Sequence, residues 1–372
     1  MKLFISAEDK DIENRVSITP DIIKKLALSH QVYVEKDAGN NSGFSNEEYE
    51  SSGAKIISGN EISEADIIFT INSLKKEQIK QLRKDTIIIG AIDPFYNIND
   101  IKEMKERNIT CFSLDFIPRT TRAQYMDVLS SQASLAGYKS VIEASHILNR
   151  AIPLMMTTAG TIPAAKVLII GAGVAGLQAI ATAKRLGAIV SAFDVRTSAK
   201  EQVESLGAKF IEVESNEKTD GVYAKEMSDD YKKAQEQKLR SVLPLQDIVI
   251  TTAQIPGKKA PIILKSDMID SMRNGAVIID LAVKSGGNCE LTNSGNLIEK
   301  NGVKIIGFEN ILNLIPFDAS RLFAKNVFSF FELLISNLQV NSDLSVVEDE
   351  ILKSTLITFN GQVINERLQG LC

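Results

Sequence analysis

Lys166-Val167-Leu168-Ile169-Ile170-Gly171-Ala172-Gly173-Val174-Ala175-Gly176 decides the fold of this chain. The apolar run from Lys166 to Ile170 reads as a buried parallel strand. It feeds a Gly-x-Gly-x-x-Gly turn, and Leu177 to Leu186 then reads as a helix ended by Gly187. A second β-rich run, Ala188 to Phe193, delivers Asp194, near the ~20-residue offset expected of a ribose-binding acid. The first glycine permits the tight turn, the second lets backbone N–H groups approach a pyrophosphate, and the third lets the helix pack on the strand. The positive end of that helix would face the phosphates. Asp194 can accept hydrogen bonds from the hydroxyls of an adenosine ribose but would repel a 2′-phosphate, so the segment reads as an NAD(H) site rather than an NADP(H) site. A Rossmann-like turn that had lost its ligand would look the same locally. The uncharged stretch from Val167 to Ala183 holds three glycines and Gln178. It falls short of the ~20 apolar residues of a membrane span and reads as strand plus helix.

Working outward, 372 residues predict two domains, each able to bury a core. A formal charge of −5, with no basic stretch interleaved with aromatics, argues against a nucleic-acid partner. Cys111, Cys289 and Cys372 are odd in number and lack metal-ligand spacing, which predicts a reducing compartment, no disulfide framework and no metal site. The N-terminus turns acidic at Glu8, too soon for a signal peptide. A soluble cytoplasmic chain without a membrane span is expected. Of the two histidines, His30 falls in a helix-to-strand turn and His146 in a helical run, and both read as surface or core-edge residues. No HExxH, GxSxG or paired-carboxylate pattern is present.

The first ~125 residues alternate short strands with helices, as in an α/β unit. Strands are expected at 3–5, 32–35, 55–57, 66–70, 86–90 and 109–113, with helices from Thr19-Pro20-Asp21 to Leu28 and over 46–53. This half has no glycine fingerprint and is assigned no dinucleotide. A helix over 124–150 should join the halves. Later strands are expected at 247–252, 276–281 and 303–307, and the polar stretch 212–239 reads as a mobile excursion or an exposed helix. A helix over 319–338 should return the chain to the first domain. The fold class is therefore α/β: two Rossmann-like domains with parallel sheets separated by a cleft, spanning 1–134 plus 319–372 and 135–318, the second carrying the fingerprint.

A second constellation begins at Arg119-Thr120-Thr121-Arg122-Ala123-Gln124-Tyr125-Met126-Asp127-Val128-Leu129-Ser130-Ser131-Gln132. At 100° per residue, Met126, Leu129, Ala133 and Ala136 share one face, with Gln124, Asp127, Ser130, Ser131 and Ser134 opposite. Periodicity alone leaves open a solvated face or a polar wall lining a cleft.

This segment, the fingerprint, Asp194-Val195-Arg196, Tyr223-Ala224-Lys225-Glu226-Met227, Ile250-Thr251-Thr252-Ala253 and Gly286-Gly287-Asn288-Cys289 together resemble the NAD(H)-binding component of proton-translocating nicotinamide nucleotide transhydrogenase. The resemblance spans nearly the whole chain. It implies hydride transfer from NADH to NADP⁺ held on a separate NADP(H)-binding component, coupled to proton translocation by a membrane component. It also implies a homodimer located in the cytoplasm, peripheral to the inner membrane through its partner subunits. In residue terms it implies Arg119, Asp127 and Ser130 at the nicotinamide end, Gln124 where the two nicotinamides meet, and Tyr223 on a closing loop. The cofactor-binding set becomes Gly171, Gly173, Val174, Ala175, Gly176, Asp194, Val195, Arg196, Thr252, Ala253 and Gln254. Alanine dehydrogenase, the related enzyme, uses a His and a Lys of its first domain on pyruvate, and the matching region Ile71 to Pro94 contains no histidine. The chain departs from the family pattern at Val222, at Lys284 and after Gly307, where a Pro-Ser-Arg element is missing.

Overall fold

In a computed structural model of the chain, residues 1–213, 228–255, 257–340, 344 and 348–372 are described. They form two compact units, Met1–Gln132 with Leu312–Cys372, and Ala133–Ile311. The helix Val128–Ile147 carries the chain from the first to the second.

Strand alternation sorts the first unit's core into two layers. Leu3, Ile5, Phe69, Ile89 and Phe112 pack on one face of the sheet with Phe323, Val327, Phe330 and Leu334 of the helix Pro316–Val340. Phe4, Ile68, Ile88 and Cys111 pack on the other with Ile79, Ile101 and Met104. Successive side chains point to opposite faces, so strands apolar at every position need cover on both. The strands Lys55–Ile57, Gln31–Glu35, Lys2–Ile5, Ile67–Phe69, Ile87–Gly90 and Thr110–Ser113 lie parallel in that spatial order. Leu356–Phe359 and Gln362–Val363 then add two antiparallel strands beyond Thr110–Ser113.

In the second unit the sheet order is Lys209–Phe210, Ile189–Phe193, Lys166–Ile170, Ile248–Thr251, Val277–Asp280, Val303–Gly307 and Leu297–Lys300. All pair in parallel except the last. Counting the parallel strands along the chain gives the order 3-2-1-4-5-6, the doubly wound arrangement that reverses between its first and fourth strands. A ligand crevice forms at that reversal, outside the carboxyl ends of the strands. Here it falls between Lys166–Ile170 and Ile248–Thr251, which lead into the glycine turn and into Thr252.

The α/β expectation holds, with antiparallel strands confined to the sheet edges. Three elements differ in detail. The fingerprint helix starts at Val174 and not at Leu177, so Gly176 lies inside it. The helix expected over 124–150 divides into a 3-10 helix, Thr121–Met126, and the α-helix Val128–Ile147, because Asp127 leaves helical geometry (φ −75°, ψ 87°). That break moves the buried line to Ala123, Met126, Val128 and Gln132, leaving Leu129 45 % exposed. Part of the polar stretch 212–239 forms the helix Asp229–Val242, which buries only Tyr231 and Leu239.

Candidate functional site

The glycine turn is defined by what a Cβ would meet. Gly171 has φ +95° and lies against Thr252, whose hydroxyl would be 2.6 Å from an added Cβ. Left-handed backbone and close approach both call for glycine there. A Cβ on Gly176 would lie 1.8 Å from the Gly171 carbonyl oxygen, and one on Gly137 would lie 2.0 Å from the Ala175 carbonyl oxygen. The turn is thus packed backbone to backbone from two directions. Gly173 is the exception, with nothing within 4 Å of its Cβ position. It is the N-cap of the helix Val174–Arg185, and both Gly173 and Val174 are exposed. An open, uncrowded helix N-terminus carries partial positive charge and unpaired N–H groups, the environment that suits a pyrophosphate.

Asp194 follows the strand Ile189–Phe193 and closes the turn from the side. Its Oδ2 accepts from the Ala172 N–H at 2.7 Å and from Arg196 Nη2 at 2.8 Å. Its Oδ1 accepts from the Arg196 backbone N–H at 2.8 Å and from Arg196 Nε at 2.9 Å. The third wall is the segment after Ile248–Thr251. Thr252 donates from its backbone N–H to the Ile170 carbonyl (2.8 Å) and from its hydroxyl to the Gly171 carbonyl (2.9 Å). Ala253 exchanges hydrogen bonds with the Asn288 carboxamide at 3.0 and 2.8 Å, and Gln254 Nε2 donates to the Leu281 carbonyl at 3.0 Å.

A buried residue outside the candidate set holds that wall in place. Asp280, fully buried, accepts from the Thr251 and Thr292 hydroxyls and from the backbone N–H groups of Ala282, Asn288 and Cys289, all at 2.8–3.0 Å. Buried charge is tolerated when it is fully hydrogen-bonded, and this one fixes Asn288, which in turn fixes Ala253. The sequence signal was a strand ending in Asp followed by Gly286-Gly287-Asn288.

In the first unit, Asp127 and Ser130 meet. The Ser130 hydroxyl donates to Asp127 Oδ2 at 2.5 Å and its backbone N–H to Oδ1 at 2.9 Å. The carboxylate thereby caps the α-helix and accounts for the break in periodicity. Arg119 and Gln124 are both exposed. The rest of the expected polar wall is spent within the protein: the Ser131 hydroxyl donates to Asn326 Oδ1 (2.7 Å), and Ser134 bonds Gln178 (3.5 Å). Gln132 joins a buried network, accepting from Arg15 Nη1 at 2.8 Å, while Arg15 grips Glu13 through Nε (2.7 Å) and Nη2 (2.6 Å). Burial pushes the Glu13 carboxyl upward, and the Arg15 hydrogen bonds and charge outweigh it, so Glu13 ends below the usual carboxylate range. Tyr223 and Val222 lie outside the described residues. Lys284 is exposed on the short turn Val283–Ser285.

Among the described residues no helix is long and apolar enough to cross a membrane. Residues 4–136 match the alanine dehydrogenase/PNT N-terminal domain and residues 140–366 the alanine dehydrogenase/PNT C-terminal domain. The chain is 44 % identical to an NAD(P) transhydrogenase subunit alpha chain of Rickettsia prowazekii, over 98 % of this chain and 96 % of that one. It matches the crystal structure of transhydrogenase from Sinorhizobium meliloti with a TM-score of 0.86 and 41 % identity, over 99 % and 100 % of the two chains. Alanine dehydrogenase 1 of Staphylococcus aureus is more distant, 28 % identical over 99 % of this chain and 96 % of that one. By both of its halves and by its full-length relatives, this chain belongs to the alanine dehydrogenase/PNT family.

Proposed function

We propose that this chain is the NAD(H)-binding subunit of a proton-translocating transhydrogenase, exchanging hydride between NADH and NADP⁺ held on a partner component. The observation that carries the reading is its full-length similarity, at 44 % identity, to a transhydrogenase alpha subunit. The glycine turn fits the cofactor: the space at Gly173, the helix N-terminus at Val174 and Ala175, and the backbone of Gly171 and Gly176 suit a pyrophosphate. Asp194, with Val195 and Arg196 beside it, would take the adenosine ribose, and Thr252, Ala253 and Gln254 would wall the other side. The cofactor would then lie in the domain 135–318. In the domain formed by 1–134 and 319–372, Arg119, Asp127 and Ser130 would hold the nicotinamide end, Gln124 would stand at the junction with the second nicotinamide, and Tyr223 would close over it.

Bound dinucleotide supplies the hydride chemistry, NADH + NADP⁺ giving NAD⁺ + NADPH. No proton moves at the reacting carbons. The chain's residues therefore need only orient the rings and exclude water, and these terms are large in hydride exchange. Asp127, oriented by Ser130, and Arg119 are groups of that orienting kind. Proton coupling would reside in a membrane component, which together with the NADP(H) component would hold this chain peripherally at the cytoplasmic side of the inner membrane. A homodimer completes the reading.

Its test combines the purified chain with a purified NADP(H)-binding component. Reduction of the acetylpyridine analogue of NAD⁺ by NADH is followed in the presence of NADP(H), with pyruvate plus ammonium assayed in parallel. Partner-dependent exchange with no pyruvate turnover is the expected result. Turnover of pyruvate by the chain alone would replace the reading with an amino-acid dehydrogenase. That outcome is disfavoured by Lys75 and Lys76, which are paired with Asp9 (2.7 Å) and Glu103 (3.4 Å). NADH binding with neither activity would mark a regulatory nucleotide-binding module.

A further inference from the structure

We propose that Arg196 sets the cofactor choice of this site, holding Asp194 in its ribose-receiving orientation and acting as a masked 2′-phosphate receptor that Asp194 neutralises. The inference rests on the NAD(H) reading of the glycine turn and extends it to a residue whose task that reading leaves open.

The geometry is a closed fork. Nε and Nη2 of Arg196 reach the two oxygens of Asp194 at 2.9 and 2.8 Å, and the Arg196 backbone N–H adds a third bond at 2.8 Å. A planar guanidinium bonded to both carboxylate oxygens fixes the plane of the carboxylate as well as its position. The Ala172 N–H pins the same carboxylate to the fingerprint at 2.7 Å. Only 6 % of the Asp194 side chain and 16 % of the Arg196 side chain are exposed, so bulk water screens the pair poorly. Asp194 therefore has no freedom to swing away from the turn, and the net charge at the ribose end is zero rather than −1.

Two consequences follow for recognition. With Asp194 present, a 2′-phosphate meets a carboxylate at the position of the hydroxyl and an arginine already committed to it. With Asp194 replaced by a small neutral residue, the same guanidinium stands beside the ribose with its charge uncompensated, and arginine near that hydroxyl is the usual receptor for a 2′-phosphate. A single substitution should then convert the site. A merely structural ion pair would lose stability on the same substitution and gain no ligand.

The test measures NADH and NADPH affinity of the full chain by nicotinamide fluorescence, with adenosine 2′-phosphate as competitor. Asp194→Ser, Asp194→Asn, Arg196→Met, Arg196→Lys and the double variant Asp194→Ser/Arg196→Met are compared, each checked by thermal melting. Hydrogen bonds to charged groups imply changes of about 10- to 100-fold. Asp194→Ser should bind NADPH that much more tightly and NADH that much more weakly, and the double variant should lose the NADPH gain. Arg196→Met should weaken NADH, with partial recovery in Arg196→Lys. Asp194→Asn keeps the side-chain shape and should shift in the same direction; it decides the matter if the serine variant fails to fold. No NADPH gain in either Asp194 variant, or a gain that survives removal of Arg196, overturns the assignment while leaving the NAD(H) reading intact. A wild-type chain that binds no NADH overturns that reading and this inference with it.

Discussion

At the scale of single residues, the fingerprint glycines separate into two kinds, and the distinction is measurable. Gly176→Ala would put a methyl 1.8 Å from the Gly171 carbonyl oxygen, where neither backbone can yield without moving the turn. Overpacking of this kind costs about 1–3 kcal/mol, and at 372 residues it should lower Tm by several degrees (about 2–4 °C per kcal/mol for large domains) as well as abolish NADH binding. Gly173→Ala meets nothing within 4 Å. It should leave the melting temperature unchanged and still weaken NADH, because the methyl occupies the space proposed for the pyrophosphate. Equal destabilisation by both variants would refute the division. The turn was legible in the sequence because its chemistry belongs to the backbone and is written in consecutive residues. The Asp280 hub was not, since its donors come from residues 251, 282, 288, 289 and 292 and meet only once the sheet has formed. The Asp194–Arg196 fork lies between, adjacent in sequence and yet evident only as a geometry.

At the scale of elements, the hairpin Met155–Thr157 with Gly160–Ile162 stands apart from both cores. Every residue of its two strands is exposed, with Met156 at 82 %, and Leu154, Met155 and Ile162 are exposed beside it. A two-stranded ribbon has too little core to be stable alone, and clustered exposed apolar side chains mark an interaction surface. We assign it to the proposed homodimer. Met156→Glu should shift the chain from dimer to monomer in analytical ultracentrifugation with little change in NADH affinity; an unaltered dimer would place the subunit contact elsewhere. This hairpin was hidden from sequence reading, because six strand residues of mixed polarity carry no usable period. By contrast, the hairpin joining Leu297–Lys300 to Val303–Gly307 turns through Asn301-Gly302, both at positive φ (50° and 76°), a dipeptide that announces such a turn. The break at Asp127 shows the limit of periodicity, for a helical wheel drawn through a capping residue assigns every later side chain to the wrong face.

At the scale of the whole molecule, acid stability should hinge on the buried pair in the first unit. Side-chain exposure is 10 % for Arg15 and 2 % for Glu13, and the Glu13 carboxyl is held below its ordinary range despite its burial. A carboxyl depressed on folding contributes stability at pH values above its unfolded pKa, and that contribution is lost as pH falls through the folded value. Glu13 thus stabilises the chain above about pH 4.5 and less with each step into acid. Arg15→Met keeps the apolar stem but leaves Glu13 buried without its cation, a change that costs about 3–5 kcal/mol when a buried pair is broken. The folded pKa of Glu13 then moves upward, so the variant gains stability from the proton that wild type resists. The deficit should be greatest at pH 7 and should shrink by roughly half or more near pH 4, where the variant holds Glu13 protonated and the wild-type pair is losing its advantage. Urea unfolding at the two pH values measures it directly. A deficit that stays constant with pH would mean that Arg15 acts through packing and through its bond to Gln132, and that the charge on Glu13 contributes nothing.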